Sequence, residues 1–541
     1  MNRTIRNIFT AVFLLTSGLI MTGCKNDNNA PEQPAKAQTY RMRITASKGT
    51  DTPTNGPRRV LSLDGTTLNA VWAAGEQVSV YNVTKGAALG GRLEAQSGGA
   101  STQLEGELTG TVEAGDILTL RFLSPAYADQ QGTLAYISAN CDYAEAENVE
   151  VASVSSGQIQ AANDAVFANR QAILRLTLKD ATDGTTPVSP TALEFFDGTS
   201  DIATLTAIPA STYTTNGEGV LYVAVPGFSG KTITLTAIAG ADTYIYNKPG
   251  VTIENGSYYT LSAEMTKQVS TAPVGAIGGV FSISSTQQVY FSQGNLQYRA
   301  SDKTWRFAEH QWDIVGMGYG QTNTTGNIYC YLGGTVPDGD NRQISSTYTG
   351  WIDLFGWGTG NQPTKTSENN SDYSLYREWG KKPITNGGNT ADMWRTPTNE
   401  EWGYLFQSRT GAAEKYGAAK VCGMTGLVVL PDVWTLPAGC GFTAGMTAAS
   451  DWYDWSQVPE TNVYTEIRWR KMETAGAVFL PCAGFRYDTN VHDAGGQGHY
   501  WAATKYDSDE AYYVNFASRC LYPVTWNNKY SGFAVRLIME Q

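Results

Sequence analysis

Between residues 40 and 267 apolar and polar residues alternate over short stretches. Residues 117–122, 174–178, 221–225 and 233–238 each carry an apolar side chain at nearly every second position. That is the period of a strand with one buried face. Turn-forming pairs stand between such stretches: Asn216-Gly217, Pro226-Gly227 and Asn255-Gly256. Glycine supplies positive φ and Asn closes local hydrogen bonds, so these pairs end strands. Strands at this spacing, with no helical period between them, predict β-sandwiches. A break at 163–170 divides the stretch into two, 40–162 and 163–267. Gly230-Lys231-Thr232 sits between two strands and reads as a hairpin turn. A phosphate-binding loop would need Gly at position 225, which is Val.

Residues 268–274 form a linker, and from 275 to 541 the alternation gives way to a Trp-, Tyr-, Asn- and Gly-rich sequence. Thr398 precedes a helical stretch, with Glu401 three residues on, which predicts a capping box. Trp402, Leu405 and Phe406 then share one helical face and read as core. In the closing segment, Tyr513, Asn515 and Ala517 fall on one face of a strand and Tyr512, Val514 and Phe516 on the other. Val514 and Phe516 read as the core side, which leaves Tyr513, Asn515 and Ala517 for the outer side.

The first residues carry Arg3 and Arg6, then an apolar run from residue 8 to 21 interrupted by Thr16, Ser17 and Gly18. The run is shorter than the roughly 20 apolar residues of a membrane span and fits the core of a signal peptide, residues 1–23. Met21-Thr22-Gly23-Cys24 then resembles a lipobox, which makes Cys24 the site of lipid attachment and of membrane contact. Residues 24–39 follow as an Asn-, Pro-, Ala- and Gln-rich tether. Lys25-Asn26-Asp27 reads either as a surface-export signal or as solvated linker.

Net charge of -12 and a pI of about 4.9 exclude nucleic acid as a partner, because no basic surface is available to neutralise phosphates. After Cys24 six cysteines remain, one in the first half (Cys141) and five in the second (Cys330, Cys422, Cys440, Cys482, Cys520), so some thiols are free. No CxxC, HExxH or GxSxG occurs. Neither a cofactor nor a metal site is expected.

Two family resemblances add to this. Residues 59–65 (Arg-Val-Leu-Ser-Leu-Asp-Gly), 71–81 (Val-Trp-Ala-Ala-Gly-Glu-Gln-Val-Ser-Val-Tyr), 104–108 and 256–261 resemble the fimbrillin-like surface proteins of Bacteroidetes. The resemblance implies two tandem fimbrillin-like β-sandwiches and a role in type V pili at the outer membrane. There an arginine-specific protease removes the first strand and a neighbouring pilin subunit donates a strand in its place. Arg58 or Arg59 would be the cut site; the other reading is two solvated arginines in a loop.

The second resemblance runs from Gly275 to the C-terminus. It rests on Trp394-Arg395-Thr396-Pro397-Thr398-Asn399-Glu400-Glu401-Trp402, on 479–486, on Gly498-His499-Tyr500-Trp501 and on 532–538. These look like an α+β C-type-lectin-like domain, giving a fold class of a mainly β N-terminal half followed by that domain. Calcium-dependent lectins use Trp-Asn-Asp where this chain has Trp526-Asn527-Asn528, which lacks the carboxylate. Asp338-Gly339-Asp340 reads as a turn.

Mixed residue types between the framework positions resemble the variable proteins of diversity-generating retroelements. These positions are His499, Ala503, Lys505, Tyr513, Asn515, Ala517, Arg519, Cys520, Tyr522, Thr525, Trp526 and Asn528. The resemblance implies that they form a ligand-binding face, with Tyr513, Tyr522 and Trp526 as aromatic anchors. The alternative is an ordinary polar surface. Together the two halves predict a surface adhesin, a pilus tip subunit, with a protein or glycan as ligand; a non-pilus lipid-anchored receptor is the second reading. Formylglycine-generating enzymes share the Arg-x-Pro-Thr-x-x-Glu-Trp segment, but the surroundings of Cys482 and Cys520 do not match theirs, so no enzyme activity is expected.

Overall fold

The computed structural model describes residues 38–48, 62–64, 67–316, 330–331, 343–488 and 490–541. Cys24, Arg58, Arg59 and the Asp338-Gly339-Asp340 turn lie outside the described residues. The fold is mainly β, with few and short helices.

The first sheet contains strands β1 (Gln38–Lys48), β2 (Gln77–Asn82), β3 (Leu93–Ala95), β4 (Ser101–Gly110), β5 (Ile117–Phe122), β6 (Ala144–Ser155), β7 (Gln158–Ala161) and β8 (Ala165–Asn169). Their order is β7-β1-β8-β6-β5-β2-β3-β4, and an additional pairing of β1 with β4 closes it into a barrel-like sheet. β1 is therefore flanked on both sides. It runs antiparallel to β4 from Gln38↔Gly110 to Ser47↔Ser101, and parallel to β7 and β8 on its other edge. Its side chains alternate strictly. Tyr40, Met42, Ile44, Ala46 and Lys48 are buried, and the residues between them are more exposed. The core they enter includes Trp72, Leu104, Leu120, Phe122 and Phe167.

The second sheet is built from β9 (Ala172–Asp180), β10 (Ala192–Phe196), β11 (Asp201–Leu205), β12 (Val220–Val225), β13 (Phe228–Ala239), β14 (Asp242–Ile253) and β15 (Tyr258–Lys267), in the order β11-β10-β13-β14-β15-β9-β12. β9 and β15 pair in parallel, from Ile173↔Tyr258 to Asp180↔Met265, and the other pairs are antiparallel. A long connection separates parallel partners, as their geometry demands.

Three details differ from the sequence reading. Residues 165–169 belong to the first sheet: β8 pairs with β1 and β6, and Phe167 packs edge-on against Trp72 at 5.1 Å. The break thus falls after β8 and not before it, because a hydrophobic anchor follows the polar 162–164 stretch. Two seven-residue helices, α1 (Leu134–Asn140) and α2 (Ala210–Asn216), stand among the strands. Gly217 caps α2, so Asn216-Gly217 ends a helix and not a strand. Finally, Gly230-Lys231-Thr232 lies inside β13, where the register against β14 shifts on both sides of Lys231 and Gly230 has φ +66°. It is a bulge, the other structure for which a strand uses glycine.

The C-terminal region has a core of large aromatic rings, including Phe281, Phe291, Phe307, Trp379, Trp402 and Trp501. Thr398 caps α3 (Asn399–Gly403) with the reciprocal Glu401 bond of a capping box. Trp402, Leu405 and Phe406 are buried as expected, although the helix widens into a π-turn after Gly403. Helix α4 (Glu466–Thr474) faces two ways. Trp469 and Met472 enter a second, smaller C-terminal cluster with Tyr464 and Phe479, while Ile467 packs with Ala192 and Ile238 of the second sheet. Arg468 pairs with Asp201 at 2.7 Å and Lys471 with Glu194. The three closing strands β16 (Gly498–Lys505), β17 (Glu510–Ala517) and β18 (Cys520–Asn528) form one antiparallel sheet with β18 at its edge.

Candidate ligand-binding face

Both sides of β17 are covered. On one side His499 pairs across the sheet with Asn515 and Trp501 with Tyr513. Phe533 lies over that row, with ring centroids 4.9 Å from His499 and 4.6 Å from Tyr513. On the other side Tyr500, Val514 and Phe516 sit in the aromatic core. Four of the expected face residues, His499, Tyr513, Asn515 and Ala517, are therefore buried. This corrects the reading of that row as an outer surface. Alternation fixes which residues share a face but not whether the second face meets water, and Phe533 comes from a separate segment.

The buried row holds one polar pair. The Asn515 side-chain amide lies 2.9 Å from His499 Nε2. Burial pushes the His499 pKa down to about 3, so the ring is neutral at physiological pH. Burial also raises the Tyr513 phenol.

The remaining expected residues sit at the end of the sheet and along its edge. Tyr522 and Trp526 are about half exposed, at 46% and 47%. They lie along the same edge strand but on opposite faces: Tyr522 stands opposite Asn515 and Trp526 opposite Tyr512, because β18 carries one extra residue between them. Each has an aromatic neighbour that alternation did not indicate. Tyr506 stacks on Trp526 with centroids 4.6 Å apart and planes within 10°, and Tyr512 meets both rings edge-on. Trp452 stacks on Tyr522 at 5.9 Å.

Lys505 and Arg519 are exposed beside these two groups, and Arg519 lies 6.0 Å from the Trp452 ring while bonding the Ser450 carbonyl. Ala503, Cys520, Thr525 and Asn528 are half-buried; Ala503 N–H donates to the Pro397 carbonyl and Asn528 accepts from Asn370. Tyr512, on the Val514 and Phe516 side, is half-buried against that core and is cross-strand partner to Trp526. Only the exposed Tyr506, in the turn before β17, offered a sequence signal of its own: a large aromatic among Asp, Ser and Glu residues.

The sheet edge is protected from pairing. Pro523 lies in β18 and has no N–H to offer, and the register against β17 shifts between Tyr513 and Asn515. The exposed aromatic rings are thus presented for side-chain contact. Among the described residues no group of three His, Cys, Asp or Glu side chains is placed to hold a metal. Burial raises the pKa of both Cys482 and Cys520, the first fully enclosed and the second partly opposed by Arg519. Neither thiol has the low pKa that reactive cysteines require. Cys141, Cys422, Cys440, Cys482 and Cys520 form no disulfide.

Residues 454–538, which hold α4 and the β16–β18 sheet, match the family described as Domain of unknown function (DUF8237). No curated protein matches the sequence. Among solved structures the chain is similar to a fimbrial protein from Bacteroides ovatus, at 10% identity over 93% of this chain and 100% of that one, with a TM-score of 0.20. It is similar to a fimbrial assembly protein from Parabacteroides distasonis at 12% identity, over 50% of this chain and 99% of that one, with a TM-score of 0.21. A C-terminally truncated tip fimbrial protein from Porphyromonas gingivalis is 8% identical over 40% of this chain and 83% of its own, with a TM-score of 0.21.

Proposed function

We propose that this chain is a cell-surface adhesin, a type V pilus tip subunit whose C-terminal domain offers the exposed aromatic rings along one sheet edge to a protein or glycan ligand. The observation that carries this reading is the paired exposure of Tyr522 on Trp452 and of Trp526 on Tyr506 along one protected sheet edge. Pre-stacked rings lose little freedom on binding and bring large apolar area to a contact, which is how aromatic anchors come to dominate interfaces.

In this reading residues 275–541 form a C-type-lectin-like domain, and positions such as Tyr522, Thr525, Trp526 and Asn528 are those that a retroelement would diversify. Lipid at Cys24 brings the precursor to the outer membrane. Cleavage at Arg58 or Arg59 then frees β1, and a neighbouring subunit's strand takes its place. The support for that step is the position of β1: one strand, paired along both edges, directly before the segment that holds both arginines.

The test is a protein and glycan array probed with the chain from residue 25 onward and with its Tyr522→Ala/Trp526→Ala variant. Loss of at least tenfold in affinity for the best ligand is expected. Equal binding by both proteins would remove the proposed binding edge. Incubating the arginine-protease-trimmed chain with shaft pilins tests the pilus role separately. Failure to form a strand-exchanged complex would leave a lipid-anchored receptor.

A further inference from the structure

Lys48 is the last core-facing residue of β1, in line with Tyr40, Met42, Ile44 and Ala46. A lysine in that series needs a reason, because a buried ammonium is costly unless its charge is met. Its surroundings supply one. The ammonium lies 3.5 Å from the centroid of the Trp72 ring and 3.7 Å from that of Phe122, and Glu76 carboxylate is 3.4 Å away. The two rings stand nearly perpendicular at 5.9 Å, so they form two walls of a corner. The Lys48 side chain is 3% exposed and that of Glu76 15%. Trp72, Glu76 and Phe122 all lie outside β1: Phe122 ends β5, and Trp72 and Glu76 lie in the segment before β2.

We infer that, once β1 is withdrawn, Trp72, Phe122 and Glu76 form a cation-binding subsite that takes the Lys or Arg side chain of the strand that replaces it. This rests on the strand-exchange reading above and adds what the incoming strand must carry. The occupant is an extended segment of another subunit with a basic residue at the register position of Lys48. Main-chain hydrogen bonds to β4, β7 and β8 hold any sequence equally, so they do not fix register. The subsite does. A cation in register meets two ring faces and a carboxylate. A cation two residues out of register lands in the slot of Ala46, which is fully buried among apolar side chains. An apolar residue in register leaves Glu76 with the Ala73 N–H at 3.2 Å but without its cation.

The test uses the full chain with a site-specific protease sequence placed within residues 49–57, cut after folding. Fluorescent peptides of the β1 sequence, Gln38 to Lys48, are then exchanged in: the native peptide, Lys48→Arg and Lys48→Met. The Lys and Arg peptides are expected to bind alike and the Met peptide roughly 10- to 30-fold more weakly. In a Glu76→Gln chain the gap between Lys and Met peptides should shrink to about threefold. Equal binding of the Met and Lys peptides would overturn the subsite while leaving strand exchange intact. Failure of every peptide to enter would overturn strand exchange, and the subsite with it.

Discussion

Two buried titratable residues of the C-terminal region push its stability in opposite directions as pH falls. His499 has its pKa driven down to about 3 by burial, so the unfolded chain binds a proton near pH 6.5 that the folded one refuses. Its contribution is present above pH 6.5 and is lost as pH falls towards 3, amounting to about 3 kcal/mol at pH 4. Asp353 is also fully enclosed, and burial pushes it up to about 7, against the opposing pull of the Val315 N–H at 2.9 Å. Here the folded chain takes up its proton first, so its burden is relieved as pH falls from 7 to 4, by about 3 kcal/mol. The two trends largely cancel. Urea midpoints at pH 7 and pH 4 separate them. Relative to wild type, His499→Gln should gain stability on acidification and Asp353→Asn should lose it. Variants that both track wild type across this range would show that neither residue is held as described. Neither effect was legible in the sequence, where His499 sat among mixed surface types and Asp353 in an unremarkable apolar stretch. Their burial depends on Phe533 and on residues far along the chain.

At the level of elements, alternation made legible which residues share a face. β5 is the strand expected from 117–122, and the stretches at 174–178, 221–225 and 233–238 lie within β9, β12 and β13. In each the alternating apolar set enters its sheet's core, although β12 and the end of β13 are covered on the second face as well. The capping box at Thr398 was equally readable, because its two bonds are local. α1 and α2 were not, since seven residues give barely two turns of helical period. β17 failed for a different reason: both its faces are buried, so period two names the two sets of residues without saying which one is outside. That has a measurable consequence. Tyr513, 8% exposed beneath Phe533, is expected to cost about 3–5 kcal/mol when changed to Ala, while leaving no ligand contact of its own to lose. Trp526→Ala, at 47% exposure, should change stability by less than about 1 kcal/mol and remove the stacked pair with Tyr506. Thermal melts of the two variants distinguish them. Similar losses in both would mean that Trp526 is a packing residue and the binding edge is misassigned.

On the scale of the whole molecule, the exposed aromatic edge is useful only if the region bearing it is held in place on the β-sheets. α4 provides that connection. Ile467 closes an apolar contact with Ala192 and Ile238, Arg468 reaches Asp201, and Lys471 pairs with Glu194 while lying 5.3 Å from the Phe196 ring. The last pair is the deciding one, because Glu194 is 2% and Lys471 10% exposed. A buried ion pair adds little net stability over a well-packed apolar pair, but removing one member strands the other charge. Lys471→Met should therefore destabilise by about 3–5 kcal/mol, since Glu194 stays enclosed between the sheet and the helix. Glu194→Leu combined with Lys471→Met should recover most of that loss by replacing both charges with apolar volume. Calorimetry checks the order of stabilities, and limited proteolysis reports whether the single variant lets the C-terminal region move apart from the second sheet. Equal stability of the single and double variants would mean that Glu194 finds water when its partner is removed. The junction would then be a loose contact, and the aromatic edge would be carried on a flexible joint.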